Sequence, residues 1–175
     1  MRIITTFFIV NVLSIVSSFG QILISGEGIM DVKIGADWDQ VEWELGFKGE
    51  KKESSSVSAD LLFLAKATNV DFDFVVSYQH IMWLPVAELF FKNDKICMIQ
   101  LTSYPEYNQM LCGDIGTIEG LNFWDDSEKV TEIYGNFEQL EKDGKSYYVY
   151  NNKGLAVELL DNEVRTMLIF QPQME

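Results

Sequence analysis

Residues 31–46 read DVKIGADWDQVEWELG, and residues 120–135 read GLNFWDDSEKVTEIYG. Laid one on the other, they pair Val32 with Leu121, Ile34 with Phe123, Asp37 with Asp126, Asp39 with Glu128, Val41 with Val130, Leu45 with Tyr134 and Gly46 with Gly135. Each copy opens on apolar–polar alternation, the pattern of a half-buried strand. An acidic residue follows, suited to cap a helix N-terminus: Asp37 in the first copy, where Gln40 stands three residues on as in a capping box, and Asp125 or Asp126 in the second. Trp38, Val41 and Leu45 then share one helical face, as do Val130, Ile133, Tyr134 and Phe137 in the second copy. A glycine stops each helix. The stretch is a strand, an acidic turn, a brief helix and a glycine stop, used twice.

The second copy runs on into three strands, residues 145–150, 155–160 and 163–170, with Asp143-Gly144, residues 151–154 and Asp161-Asn162 as turns. The first copy runs into a polar stretch, KGEKKESSSVS over residues 48–58, and a short helix from Ala59 to Lys66. After it come β-rich residues 71–84, broken at Pro85, and a hairpin over residues 86–101 that turns at Asn93-Asp94. From Gly46 to Ile96 the first copy is 21 residues longer than the second from Gly135 to Val164. The surplus lies near residues 48–70 and reads as an insertion. The expected organisation is therefore a signal peptide over 1–20, a weakly ordered lead-in over 21–28, a first module over 29–102, a connection over 103–116 and a second module over 117–172.

The signal is read from Arg2, the apolar run 3–16 and the small residues Ser18 and Gly20, which place cleavage after Gly20. An uncleaved anchor is the alternative, because no charge appears between Arg2 and Glu27. With the signal cleaved, no stable membrane anchor is expected. The 175 residues carry a formal net charge of −14. Such a chain is repelled by phosphate backbones and anionic headgroups, so nucleic acid is not an expected partner.

A catalytic signature is missing. His80 is the single histidine, and triads and most zinc sites need more than that. It alternates with Met82 and Leu84 along a strand and reads as a packed histidine. The carboxylate pairs Asp37/Asp39, Asp71/Asp73 and Asp125/Asp126 lack calcium-loop spacing, and caps and solvated strand faces account for them. No metal site and no cofactor is implied. Cys97 and Cys112 stand 15 residues apart. In an oxidising compartment they could close a disulfide worth roughly 3 kcal/mol, and two buried thiols are the alternative.

The apolar surface is in surplus. Leu155, Val157, Leu159, Val164, Leu168 and Phe170 form one face of the last hairpin. The opposite face still carries Tyr147, Val149, Ala156, Leu160, Met167 and Ile169. In the earlier hairpin Phe90, Cys97, Ile99 and Leu101 lie opposite Leu89, Phe91, Ile96 and Met98. Something must shield the second face: the insertion, a second subunit or a partner. Trp43 lies about 200° around its helix from Val41, off the apolar stripe. It packs under the insertion or serves as an interface anchor.

The pattern Ile34-Gly35, Val41, Leu45-Gly46, repeated as Phe123, Val130, Tyr134-Gly135 and followed by a meander, resembles the beta-lactamase-inhibitor-protein-like modules. It is also similar to the small outer-membrane lipoproteins of the barrel-assembly machinery. The chain departs from them at Gly35-Ala36-Asp37 and Trp124-Asp125-Asp126, where such families have Gly-Met-Thr, and in lacking a lipid-bearing cysteine. The resemblance implies an extracytoplasmic protein-binding module.

The expectation is an α+β protein of two tandem βαββ(β) modules, with helices on one side of an antiparallel sheet. It is exported to the periplasm or beyond, and is a non-enzymatic binder of another protein. Trp43, Trp38, Tyr147, Val149, Met167 and Ile169 are its candidate contacts. A small-molecule or lipid carrier is the alternative, and a carboxylate-based hydrolase ranks below both. Homo-oligomerisation stays open.

Overall fold

The computed structural model describes residues 21–29, 31–45, 49–57, 59–78, 86–103 and 115–173. The first half contains β1 (Gln21–Ile24), β2 (Gly28–Ile29), β3 (Val32–Lys33), α1 (Trp38–Leu45), β4 (Glu50–Glu53), α2 (Ala59–Ala67), β5 (Phe74–Tyr78), β6 (Val86–Lys92) and β7 (Lys95–Thr102). The second half contains β8 (Gly116–Thr117), α3 (Ser127–Tyr134), β9 (Glu138–Lys142), β10 (Lys145–Tyr150), β11 (Leu155–Leu160) and β12 (Glu163–Phe170).

Three hairpins shape the sheet. Asn93-Asp94, Asp143-Gly144 and Asp161-Asn162 hold positive φ at both turn positions: 51° and 61°, 53° and 79°, 54° and 66°. That is type I′ geometry, whose twist matches the strands it joins. The resulting eight-stranded sheet has the order β4-β5-β6-β7-β12-β11-β10-β9, and every neighbouring pair is antiparallel. The last strand of the first half thus pairs with the last strand of the second. The outermost strands are β4 and β9, whose EKKE and EQLEK sequences place charge on the open edges, a common guard against edge-to-edge pairing.

A second, four-stranded sheet has the order β3-β2-β1-β8. Here β1 runs antiparallel to β2 and parallel to β8. The lead-in expected to be weakly ordered is therefore a strand. Leu23 is fully buried in the core, and its carbonyl accepts from Ile118 N at 2.8 Å. Next to β1, Tyr134 Oη donates to Thr117 Oγ1 at 2.6 Å, and Glu119 Oε2 lies 3.1 Å from the same hydroxyl and 3.5 Å from Ser25 Oγ. Burial pushes the Tyr134 phenol up to about 12. The turn after β1 is in this way bonded to the second half.

The α+β expectation is overturned. The protein is mostly β, and among the described residues only three short helices occur. They do not form a layer on one side. Val41 of α1 and Val130 and Tyr134 of α3 join one core cluster with the small sheet and with Val76, Leu89, Ile99, Val157 and Ile169. Leu64 and Ala65 of α2 join a separate cluster with Phe90, Met98, Tyr147, Leu168 and Phe170 on the opposite face. The insertion is thus the shield for the second face, and it reaches across to the other half. Lys142 Nζ bonds Asp60 at 2.8 Å and Ala59 O at 3.2 Å, and Phe63 packs on Tyr147 at 5.3 Å. Among the described residues no helix is long and apolar enough to cross a membrane.

Two bulges correct the expected faces. Phe90 pairs with Met98 but Phe91 with Ile96, so Cys97 is an extra residue. Glu158 pairs with Thr166 but Leu159 with Val164, so Arg165 is an extra residue. Each bulge shifts the alternation by one position. Ile96 and Ile99 consequently face the same cluster, as do Val164, Met167 and Ile169, while Leu168 and Phe170 turn to the α2 side.

The loops before α1 and α3 are pinned alike. Gly35 N donates to Ile96 O (2.8 Å) and Ile96 N to Ala36 O (2.9 Å). Trp124 N donates to Val164 O (3.0 Å) and Val164 N to Asp125 O (2.9 Å). At α3 the cap is Asp126, in an extended conformation, whose Oδ1 accepts from Lys129 N at 2.9 Å. Asp126→Ala is expected to lose about 1 kcal/mol of stability, read as a lower urea midpoint at an unchanged m-value.

Candidate functional site

The residues singled out from sequence do not converge on one surface. Tyr147 (1% exposed) and Val149 (2%) lie under α2, and Met167 and Ile169 (both 0%) point into the other core. None can meet a partner, and that expectation is corrected: the surplus apolar surface is interior. Trp38 is half-buried, 5.2 Å from the ring of Phe74 and 6.1 Å from that of Phe91. The Lys51 ammonium caps this group, 5.1 Å from Trp38 and 4.0 Å from Phe74. Trp43 lies on α1, but its side chain is outside the described part, as are His80 and Cys112. Cys97 is a half-buried free thiol that donates to Phe90 O at 3.2 Å, and burial pushes it up to about 12.

Two of the acidic pairs have structural duties. Asp71 and Asp73 both bond Lys92 Nζ at 2.8 Å, and Asp73 also accepts from Asn93 N at 2.8 Å. The Lys92 bond and then the Asn93 amide hold the Asp73 carboxyl below its usual range. Asp37 bonds Lys95 at 3.1 Å. Among the described residues no group of three or more His, Cys, Asp or Glu side chains is placed to hold a metal ion.

The third pair opens onto a cleft. The bridge between Asp126 and Glu163 brings the start of α3 against the β11–β12 turn. Between them lies an open cavity of about 630 Å³ lined by Trp124, Lys129, Asn162 and six carboxylates: Asp125, Asp126, Glu128, Glu132, Asp161 and Glu163. Several of these are engaged. Asp125 Oδ2 accepts from Asn122 N at 2.7 Å, Asp126 caps the helix, and Lys129 Nζ reaches Glu132 at 3.4 Å. Glu163 takes Arg165 Nη2 in a short contact of 2.6 Å. Among the described residues, Glu128 and Asp161 have no cation within ion-pair distance.

Trp124 forms the aromatic wall. Its backbone holds φ 75°, the left-handed region that side chains disfavour; Gly35, in the corresponding loop, has φ 88°. What holds Trp124 there is the pair of backbone bonds to Val164 and the Arg165 guanidinium, centred 3.6 Å from its ring. Arg165 reaches the ring because the β12 bulge re-aims it. Stacking of this kind is worth about 0.5–2 kcal/mol. Sequence reasoning missed Trp124, Arg165, Asp161 and Glu163 as neighbours. The available signal was the tryptophan standing where the first copy has a glycine.

Chemically the cleft offers net negative charge around an aromatic side chain. It is suited to hold a cationic group.

No protein family and no curated protein matches the chain. Among solved structures, it is similar to an extracellular protein containing an SCP domain from Bacillus anthracis str. Ames, at 9% identity and a TM-score of 0.45. The match covers 79% of this chain and 44% of that one, so the chain spans less than half the length of that protein.

Proposed function

We propose that this chain is an exported, non-enzymatic protein-binding module whose acidic cleft takes a basic segment of another protein. The observation that carries the reading is the cleft between α3 and the β11–β12 turn, with six carboxylates and one lysine around Trp124. A lysine or arginine entering it gains Coulombic attraction from carboxylates that outnumber the cations around it. The net charge of −14 adds long-range attraction for such a partner. The charged lining suits a protein segment better than a lipid. Export is the signal peptide's part of the reading and places the module in the periplasm or outside the cell. Inhibition of a target or envelope assembly are the roles that the resemblance to inhibitor-like and assembly modules suggests.

The test is crosslinking capture from native envelope and culture medium, comparing the mature protein with a Glu128→Gln/Asp161→Asn variant. Asparagine keeps the left-handed turn conformation, and both changes leave the described ion pairs intact. One discrete, basic protein is expected with the wild type, held at least about tenfold more weakly by the variant, a difference of about 1.4 kcal/mol. Raising salt should weaken the wild-type complex further. Equal capture by both proteins would remove the cleft from the mechanism.

A further inference from the structure

We infer that the mature chain begins with a pyroglutamate formed from Gln21, and that this lactam sits at the head of strand β1 in the small sheet. The inference rests on the export reading, since it requires cleavage after Gly20.

The structural basis is the position of β1. The strand includes Gln21, the residue that cleavage after Gly20 would expose. It is an inner strand, between β2 and β8, and Gln21 pairs with Gly116. Leu23, two residues on, is fully buried. Gly116 is itself hemmed in: a Cβ there would lie 2.1 Å from Leu121 O. The new terminus therefore belongs to a packed ladder rather than to a free tail.

The chemistry needs only the residue that cleavage exposes. In the precursor the Gln21 nitrogen is a peptide nitrogen and not a nucleophile. After cleavage it is an amine, and in its neutral form it attacks the side-chain Cδ carbonyl of the same residue. A C–N bond forms and closes a five-membered lactam. The Cδ–NH2 bond breaks, and the amide nitrogen leaves as ammonia with one proton from the amine. No oxidant, reductant or further reactant is consumed. The product replaces a charged ammonium with a single amide N–H, the donor that a strand residue carries. Closure precedes docking of β1, because the amine must be free to fold back on its own side chain.

The experiment uses the full chain with its own signal, recovered from the exported fraction and examined by intact mass and N-terminal sequencing. The expected result is the mass of residues 21–175 less one ammonia, with sequencing blocked. The unreduced mass with a readable Gln-Ile-Leu start overturns the inference and leaves export intact. A start at another residue overturns the inference and leaves export intact; a chain found only uncleaved in the membrane fraction, with none exported, overturns both. Digestion with pyroglutamyl aminopeptidase reads the placement. The folded protein should resist, while the N-terminal peptide released by proteolysis should lose the lactam. Comparable removal from the folded protein overturns the seating of the terminus in the sheet.

Discussion

Replacing Phe90 by alanine lowers the free energy of unfolding by about 3–5 kcal/mol. Phe90 has no exposed surface and stands at the centre of the cluster under α2. Its ring meets Phe72 edge-on, with centroids 5.0 Å apart and planes at 87°. Phe72 belongs to the segment that returns from α2, so the pair fastens the insertion to the sheet. The vacated space is bounded by Val75, Met98 and Phe170, whose strands are fixed by their ladders and cannot close in. The measurement is urea unfolding of the mature protein, with Phe90→Leu as a variant that leaves a smaller cavity and costs less than the alanine change. A loss below about 1 kcal/mol for the alanine variant would show that the insertion does not pack this face.

Leu23→Ala is expected to cost about 2–5 kcal/mol, far more than a change in a loose leader could. The side chain is wholly buried among groups from both halves, with Ile29 and Val32 on one side and Ile115 and Leu121 on the other. The loss should appear in global unfolding, and faster amide exchange should appear at β2 and β8 together. If exchange rises only in residues 21–24, the strand is a passive flap and the halves are held by the large sheet alone.

The hairpins were legible because their information is local. Asn93-Asp94, Asp143-Gly144 and Asp161-Asn162 are turn residues flanked by β-formers, and the strands around them fall where alternation puts them. The face assignments failed at Cys97 and Arg165, where one extra residue reverses every side chain beyond it; nothing in composition marks a bulge. Tyr147 and Val149 were misjudged for a different reason. Their cover, α2, comes from a distant part of the chain, and a helix of nine residues does not announce which face it will shield. Residues 50–53 carry no strand signal in the sequence because an edge strand of charged residues has no apolar alternation. The cleft was invisible because Asp126 and Glu163 meet through the bridge between them, a long-range contact. The cap itself is legible as one of two neighbours, Asp125 or Asp126, and the structure uses Asp126.

The pairing of β7 with β12 sets a timetable for the chain as it emerges from N- to C-terminus. Strand β7 is complete at Thr102, but its outer partner starts at Glu163. The edge therefore emerges before its neighbour and waits for the whole of the second half to follow. During this interval Met98, Ile99 and Leu101, all fully buried in the finished protein, lie along an unpaired border. The second half is therefore the first half's delayed escort, and the β7 border is the place most open to wrong strand pairing until β12 arrives.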